Sequence, residues 1–200
     1  MSEDSQPRRP RPRSAFVELL RTAAQALILF FVLSALIGRF EVHQISMEPT
    51  FHEGQRVLVS KLGSIWSSLF VRTAHAAETT RTSPFALQRG QVVVFYKTPA
   101  RDDDALIKRV IGLPGDLIEF RDDEVWINGA RLDEPYIHGA PTTCGVTCEP
   151  IRLALDQYFV MGDNRENSLD SRSFGPISSD QMVGRVVLRY WPFSQVEYYP

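Results

Sequence analysis

A chain of 200 residues accommodates one domain with an appendage, or two small domains. Apolar residues make up 44% and charged residues 23%, so most of it has the means to fold around a core. A net charge of −2 argues against a basic face for nucleic acid, and no nucleic-acid partner is expected.

The charge is unevenly spread. Arg8, Arg9, Arg11 and Arg13 crowd Met1 to Ser14 together with three prolines. That segment has too little apolar surface to offset the entropy of ordering it, and residues 1–14 are expected to be disordered. Thr22 to Gly38 then runs for 17 residues without a charge, the lower edge of the ~17–25 needed to span a bilayer. A buried core helix would rarely be apolar all round. A cleavable secretory signal would carry small residues at an A-x-A site after the run, and "LIGRFEV" has none. A single transmembrane anchor over residues 15–39 fits best. The arginines before it place the amino end in the cytoplasm and residues 40–200 outside the membrane.

The outer part reads as short strands between turns: "RVLVS", "QVVVFY", "LIKRVIG", "DLIEF", "EVWI", "QYFVM" and "GRVVLRYW" are β-branched and aromatic runs bounded by Gly, Pro, Asp or Asn. Asn128-Gly129 is the preferred two-residue hairpin turn. "SSDQM" suits one helical turn, and no long amphipathic helix follows the anchor. Residues 133–155 have the look of a small subdomain inserted between core strands. They contain Cys144 and Cys148, the two cysteines of the chain. A close pair in an oxidising compartment reads as a disulfide. The alternative, half of a metal site, lacks a second cluster, since His43, His52, His75 and His138 are scattered.

Ser46 stands between Ile45 and Met47, just before Pro49 and Thr50. Held at a strand end by a rigid turn, it has the setting of a nucleophile, but a serine needs a base. His43 falls on the opposite strand face, and none of the other histidines stands out. Lys108 does. Alternation puts Leu106, Lys108 and Val110 on one strand face. Such a lysine either snorkels from a sheet edge or is desolvated by its apolar neighbours. In the second case its pKa falls from ~10.4 towards neutrality. A neutral amine can take the proton of serine, and serine–lysine pairs are an accepted variant of the catalytic triad.

Four boxes then add up: "SMEPT", "RGQVVVF", "IKRVIGLPGD" and "MGDNRENSLDSRSFGPI", in that order after an amino-terminal anchor. Together, from about Gln44 to Arg185, they closely resemble the bacterial type I signal peptidases (leader peptidases), membrane-bound serine–lysine endopeptidases that remove signal peptides from exported proteins. By position, the resemblance makes Ser46 the nucleophile, Lys108 the general base and Ser168 the hydroxyl that orients the amine. Asp163, Arg165, Asp170 and Arg172 fall where the family has charged pairs bracing the site. The amide of Ser46 supplies one oxyanion donor. Where many members carry Ser, and others Gly, two residues before the nucleophile, this chain has Gln44. Its side-chain amide either completes the oxyanion hole or points to solvent.

The resemblance further implies a mainly β fold, an antiparallel coiled β-sheet catalytic domain behind one transmembrane helix. It implies preprotein signal peptides and the lipid bilayer as partners, the bacterial inner membrane as location, and no metal or organic cofactor. A dedicated maturation peptidase of the same family and a catalytically silent membrane-tethered module are the rival readings. "SIWSSLFV" (Ser64 to Val71) and the tail with Trp191, Phe193, Tyr198 and Tyr199 suit a membrane–water boundary. Ala74-His75-Ala76 is an A-x-A pattern of the kind such enzymes cut after.

Overall fold

A computed structural model describes residues 15–61, 87–98, 100, 104–146 and 148–199. The amino-terminal segment 1–14, the "SIWSSLFV" loop and the Ala74-His75-Ala76 pattern lie outside the described residues. The chain divides between Ala35 and Leu36 into two units. Helix α1 (Ala15–Leu36) lies in the first up to Ala35. Leu and Ala favour helix, and a helix satisfies its backbone internally where no water is at hand. Its Phe16–Leu36 stretch is long and apolar enough to cross a membrane, and its side chains are exposed.

The helix stops three residues short of the expected boundary at Arg39. Ile37 to Arg39 belong instead to strand β1 (Ile37–Glu41) of the second unit, antiparallel to β2 (Arg56–Ser60). Gly38 is a weak helix former. Its missing side chain leaves room for neighbours, because a Cβ there would come within 2.8 Å of the Phe40 ring and 2.9 Å of the Lys61 side chain.

The remaining strands are β3 (Val92–Tyr96), β4 (Ala105–Gly112), β5 (Leu117–Arg121), β6 (Glu124–Ile127), β7 (Ala130–Arg131), β8 (Ile151–Arg152), β9 (Gln157–Met161), β10 (Ile177–Ser178), β11 (Met182–Trp191) and β12 (Glu197–Tyr198). The larger sheet runs β1-β2-β11-β3-β4-β9-β10, with β12 on β11, and the smaller runs β7-β6-β5-β8. The ladders between these neighbours are antiparallel. The architecture is mainly antiparallel β. Register shifts in β4 and β11 bend the large sheet.

Strand β3 shows why its sequence is an unbroken apolar run. Val92 and Val94 pack with Val42, Met47 and Phe51 on one side, and Val93 and Phe95 with Val110 and Tyr158 on the other. Both faces are buried, so nothing polar alternates. A third cluster joins the sheets: Ile111, Phe159 and Met161 of the large one meet Ile118, Val125 and Leu153.

The small sheet begins at Leu117 and closes at Arg152, so the insertion between β4 and β9 starts earlier than the expected Asp133. The β5–β6 hairpin pairs with β8 instead of the main sheet. Asn128 and Gly129 have the positive φ of 53° and 82° that their hairpin turn requires, and Asp122-Asp123 forms an equivalent turn that carries no Gly. Buried Asp116 ties this corner together, accepting from Leu113 N at 2.6 Å, Asn128 Nδ2 at 2.8 Å and Arg89 at 3.0 Å. "SSDQM" folds as a 3-10 turn with a reciprocal Ser178–Gln181 cap.

Candidate active site

Ser46 sits in a single 3-10 turn, Ile45–Met47, instead of at a strand end. The turn forms because Met47 is drawn fully into the core while Phe51 N closes on Met47 O at 2.9 Å. From the other side Asn164 holds it, donating its backbone N–H to Ser46 O at 3.1 Å and its side-chain amide to Ile45 O at 3.3 Å. Ser46 is thereby 3% exposed.

Lys108 lies on β4, inside the sheet, opposite Val93 of β3. It is 1% exposed, so its ammonium does not snorkel to water. Nζ stands 2.6 Å from Ser46 Oγ and 3.0 Å from Ile107 O. Burial lowers the amine's pKa, against an opposing pull from the Asp170 and Asp163 carboxylates, to about 8. Hydroxyl and titratable amine therefore meet in one buried hydrogen bond. Among the described residues no histidine takes this place. His43 and His138 are exposed, and His52 pairs with Glu48 at 3.2 Å. His75 lies outside the described residues.

The charged residues of "GDNRENSLDSR" are braced, with partners that come largely from elsewhere. Asp163 receives Arg109 Nε at 2.8 Å and Nη2 at 2.6 Å, with the Thr50 hydroxyl donating at 2.5 Å. Arg109 also lies 4.0 Å from the centre of the Tyr136 ring. Arg165 bonds both carboxylate oxygens of Glu134, the Thr142 hydroxyl and, at 3.0 Å, Gly162 O. Asp170 and Arg172 pair with each other through two contacts of 2.9 Å. Asp170 also caps the short helix α2 (Ser171–Phe174) and accepts from Gly162 N at 3.1 Å. Thr50, Arg109, Glu134, Gly162 and Asn164 were not singled out from the sequence. Arg109 had a signal, standing beside Lys108, but its strand parity turns it to the other face.

Gly162 is where the loop touches the site. A Cβ on it would fall 2.3 Å from Ser168 Oγ and 2.4 Å from Ser46 O. The Ser168 hydroxyl is buried there without a hydrogen-bond partner, so the expected contact with the Lys108 amine is not made. Gln44 is exposed, with extended backbone and no capping bond. It lines a cavity of about 480 Å³ with Val42, His43, Ala105, Leu106 and Ile107.

Cys144 and Cys148 are bonded to each other, their Cα atoms 5.0 Å apart. Among the described residues, no group of three or more His, Cys, Asp or Glu is placed to hold a metal ion. In the tail, Trp191, Phe193 and Tyr198 are exposed, with the rings of Trp191 and Phe193 stacked edge-on at 4.9 Å. Tyr199 differs from them: its ring packs 4.9 Å from that of core residue Phe51.

Known proteins resemble this chain in sequence. Over 195 residues the chain is 34% identical to signal peptidase IB of Staphylococcus aureus strain MRSA252, covering 90% of this chain and 91% of that protein. It is 33% identical over 199 residues to probable signal peptidase I-2 of a Synechocystis strain, covering 97% of this chain and 82% of that one. The crystal structure of a signal peptidase I from Enterococcus faecalis aligns with a TM-score of 0.43 at 32% identity, over 50% of this chain and 97% of that one. Residues 16–191 match the family described as signal peptidase, peptidase S26, and with relatives this similar over nearly its whole length, the chain belongs to that family of peptidases.

Proposed function

We propose that this protein is a membrane-bound serine endopeptidase that removes the amino-terminal signal peptides of exported preproteins after small residues, using Ser46 as nucleophile and Lys108 as general base. The observation that carries the reading is the buried 2.6 Å contact between Ser46 Oγ and an amine whose pKa is lowered to about 8. A neutral amine accepts the hydroxyl proton as Oγ attacks the scissile carbonyl. The resulting ammonium returns the proton to the departing amine of the mature protein. A water, activated by the same lysine, then hydrolyses the acyl-enzyme.

The cavity bounded by Val42–Gln44 and Ala105–Ile107 suits an extended peptide. Beyond Lys108, β4 pairs with β9 only from Arg109 onward, which leaves Ala105–Ile107 paired on one side, to β3. A substrate strand has backbone groups to bond there, and the valine walls favour small apolar side chains. The Ser46 N–H is the assigned oxyanion donor, and the exposed Gln44 side chain lines the cavity. The buried, unpartnered Ser168 hydroxyl is assigned to steady the amine during turnover. Asp163, Arg165, Asp170 and Arg172 hold the loop that backs Ser46. No cofactor enters this chemistry.

Helix α1 serves as the anchor, with the amino terminus cytoplasmic and the β unit outside the bacterial inner membrane. The partners are preprotein signal peptides and the lipid bilayer. The deciding experiment is cleavage of a model preprotein by the full chain in detergent. Activity should vanish in Ser46→Ala and rise with pH in the wild type through a midpoint near 8. Residual cleavage by purified Ser46→Ala would overturn the assignment.

A further inference from the structure

Gly145 and Val146, inside the Cys144–Cys148 bridge, have no part in the chemistry above, yet they rest on Arg172 of the Asp170–Arg172 pair. Gly145, at φ 77°, is pressed on Arg172: a Cβ there would meet Arg172 Cβ at 2.6 Å and Arg172 O at 2.8 Å. Val146 N donates to Arg172 O at 3.3 Å, and Arg172 Nη1 donates to Thr143 O at 3.5 Å. Arg172 grips Asp170, which is fully buried, and Asp170 holds Gly162 N at 3.1 Å. Gly162 in turn lies against Ser46 O and Ser168. An unbroken line of contacts thus runs from the disulfide to the nucleophile's own peptide. Upstream on the same segment, Glu134 and Thr142 secure Arg165, so both arginines of the catalytic loop are held from the insertion. Cys148 is exposed and Cys144 half-buried, which leaves the bond open to thiol reagents.

We propose that the disulfide-closed loop Cys144–Cys148 is a redox-sensitive positioning device that seats Arg172 on Asp170 and thereby sets the working state of the catalytic amine. The inference rests on the assignment of Ser46 and Lys108 above. Reduction adds two electrons and two protons to the S–S bond, giving two thiols, with a dithiol such as dithiothreitol as donor closing into its own disulfide. Freed from that closure, Thr143, Gly145 and Val146 loosen from Arg172, and Asp170 is less fully neutralised. The groups acting on Lys108 are Asp170 and Asp163, each paired with an arginine (Arg172 and Arg109), together with Ser46 Oγ and Ile107 O. A barer Asp170 favours the ammonium, so the amine is neutral only at higher pH.

The test is kcat/KM against pH for the full chain in detergent, before and after dithiothreitol, with thiol labelling to verify reduction. Reduction should raise the midpoint by about half a pH unit, cut kcat/KM about threefold at pH 7 and leave nearly full activity at high pH. The cut should fall on kcat, with KM little changed. Cys144→Ser/Cys148→Ser should reproduce the reduced profile and no longer respond to dithiothreitol. Gly145→Ala tests the same contact with the disulfide intact, because its added methyl displaces the loop from Arg172, and it should shift the profile in the same direction. An unchanged profile in fully reduced protein and in Gly145→Ala overturns the proposal. So does a loss of activity that is equal at every pH, which marks a merely structural role. Lys108→Ala, run alongside, separates the two readings. If it remains active, the catalytic assignment itself fails; if it is dead while the reduced profile is unmoved, the loop proposal fails alone.

Discussion

Burying Lys108 costs stability. Its folded pKa is about 8 against an ordinary 10.5. Between these values the unfolded chain binds a proton that the folded chain does not, so stability rises with pH across that window and the full penalty applies below pH 8. A shift of this size corresponds to roughly 3 kcal/mol. Lys108→Met, similar in volume and uncharged, should therefore be more stable than wild type at pH 7, with a higher urea midpoint. The advantage should shrink as pH climbs above 8, and equal midpoints at pH 7 would contradict the burial argument. Lys108→Arg should be as inactive as Lys108→Ala in preprotein cleavage, since a guanidinium does not surrender its proton at usable pH. Ser168 makes the complementary case. Its hydroxyl has no bond to lose, so Ser168→Ala should unfold at the same temperature as wild type or a higher one. Its kcat should nonetheless fall about tenfold or more, as expected of a group that positions a base. Unaltered kcat would remove Ser168 from the site.

The loop between β9 and α2 decides where Ser46 stands, and Gly162 is its contact point. An alanine there would drive a methyl into Ser46 O and Ser168 Oγ, at 2.4 and 2.3 Å. Backbone cannot yield as a flexible side chain can, so Gly162→Ala should cost about 1–3 kcal/mol in thermal unfolding. Cleavage should fall further than that loss of folded protein explains. The segment between β7 and β8 acts on the same loop from outside, through Glu134 on Arg165 and through Tyr136 on Arg109, which holds Asp163. Neither Glu134 nor Tyr136 lies near Ser46 in sequence. The resemblance gives the loop's charges only as bracing pairs, and within the stretch Asp170 and Arg172 pair with each other while Asp163 and Arg165 pair with Arg109 and Glu134.

For the molecule as a whole, the junction of helix α1 and the β unit can be tested by truncation. A chain beginning at Leu36 keeps all of β1, whereas one beginning at Phe40 loses the Ile37–Ser60, Gly38–Val59 and Arg39–Leu58 pairs. The first should fold, and the second should melt several degrees lower by circular dichroism, because a five-residue edge strand would be cut to two. Equal melting temperatures would return the boundary to Arg39. Both truncated proteins should cleave a short soluble peptide better than a membrane-embedded preprotein, relative to the full chain.

Local chemistry made much of this legible in advance. The charge-free run before Gly38 marks the apolar helix. β-branched and aromatic runs mark the strands, and Asn128-Gly129 marks its turn, because each depends on neighbours within a few residues. Ser46 and Lys108 stood out because a polar residue among apolar ones is itself a local signal. Their 2.6 Å contact did not, since 62 residues of chain separate them and only antiparallel pairing brings β4 beside the Ile45–Met47 turn. The same holds for the pairing of Asp163 with Arg109 and of Arg165 with Glu134, and for the extent of the small sheet. Ion-pair partners and strand partners are chosen by what the packed core leaves within reach, which is a property of tertiary structure alone.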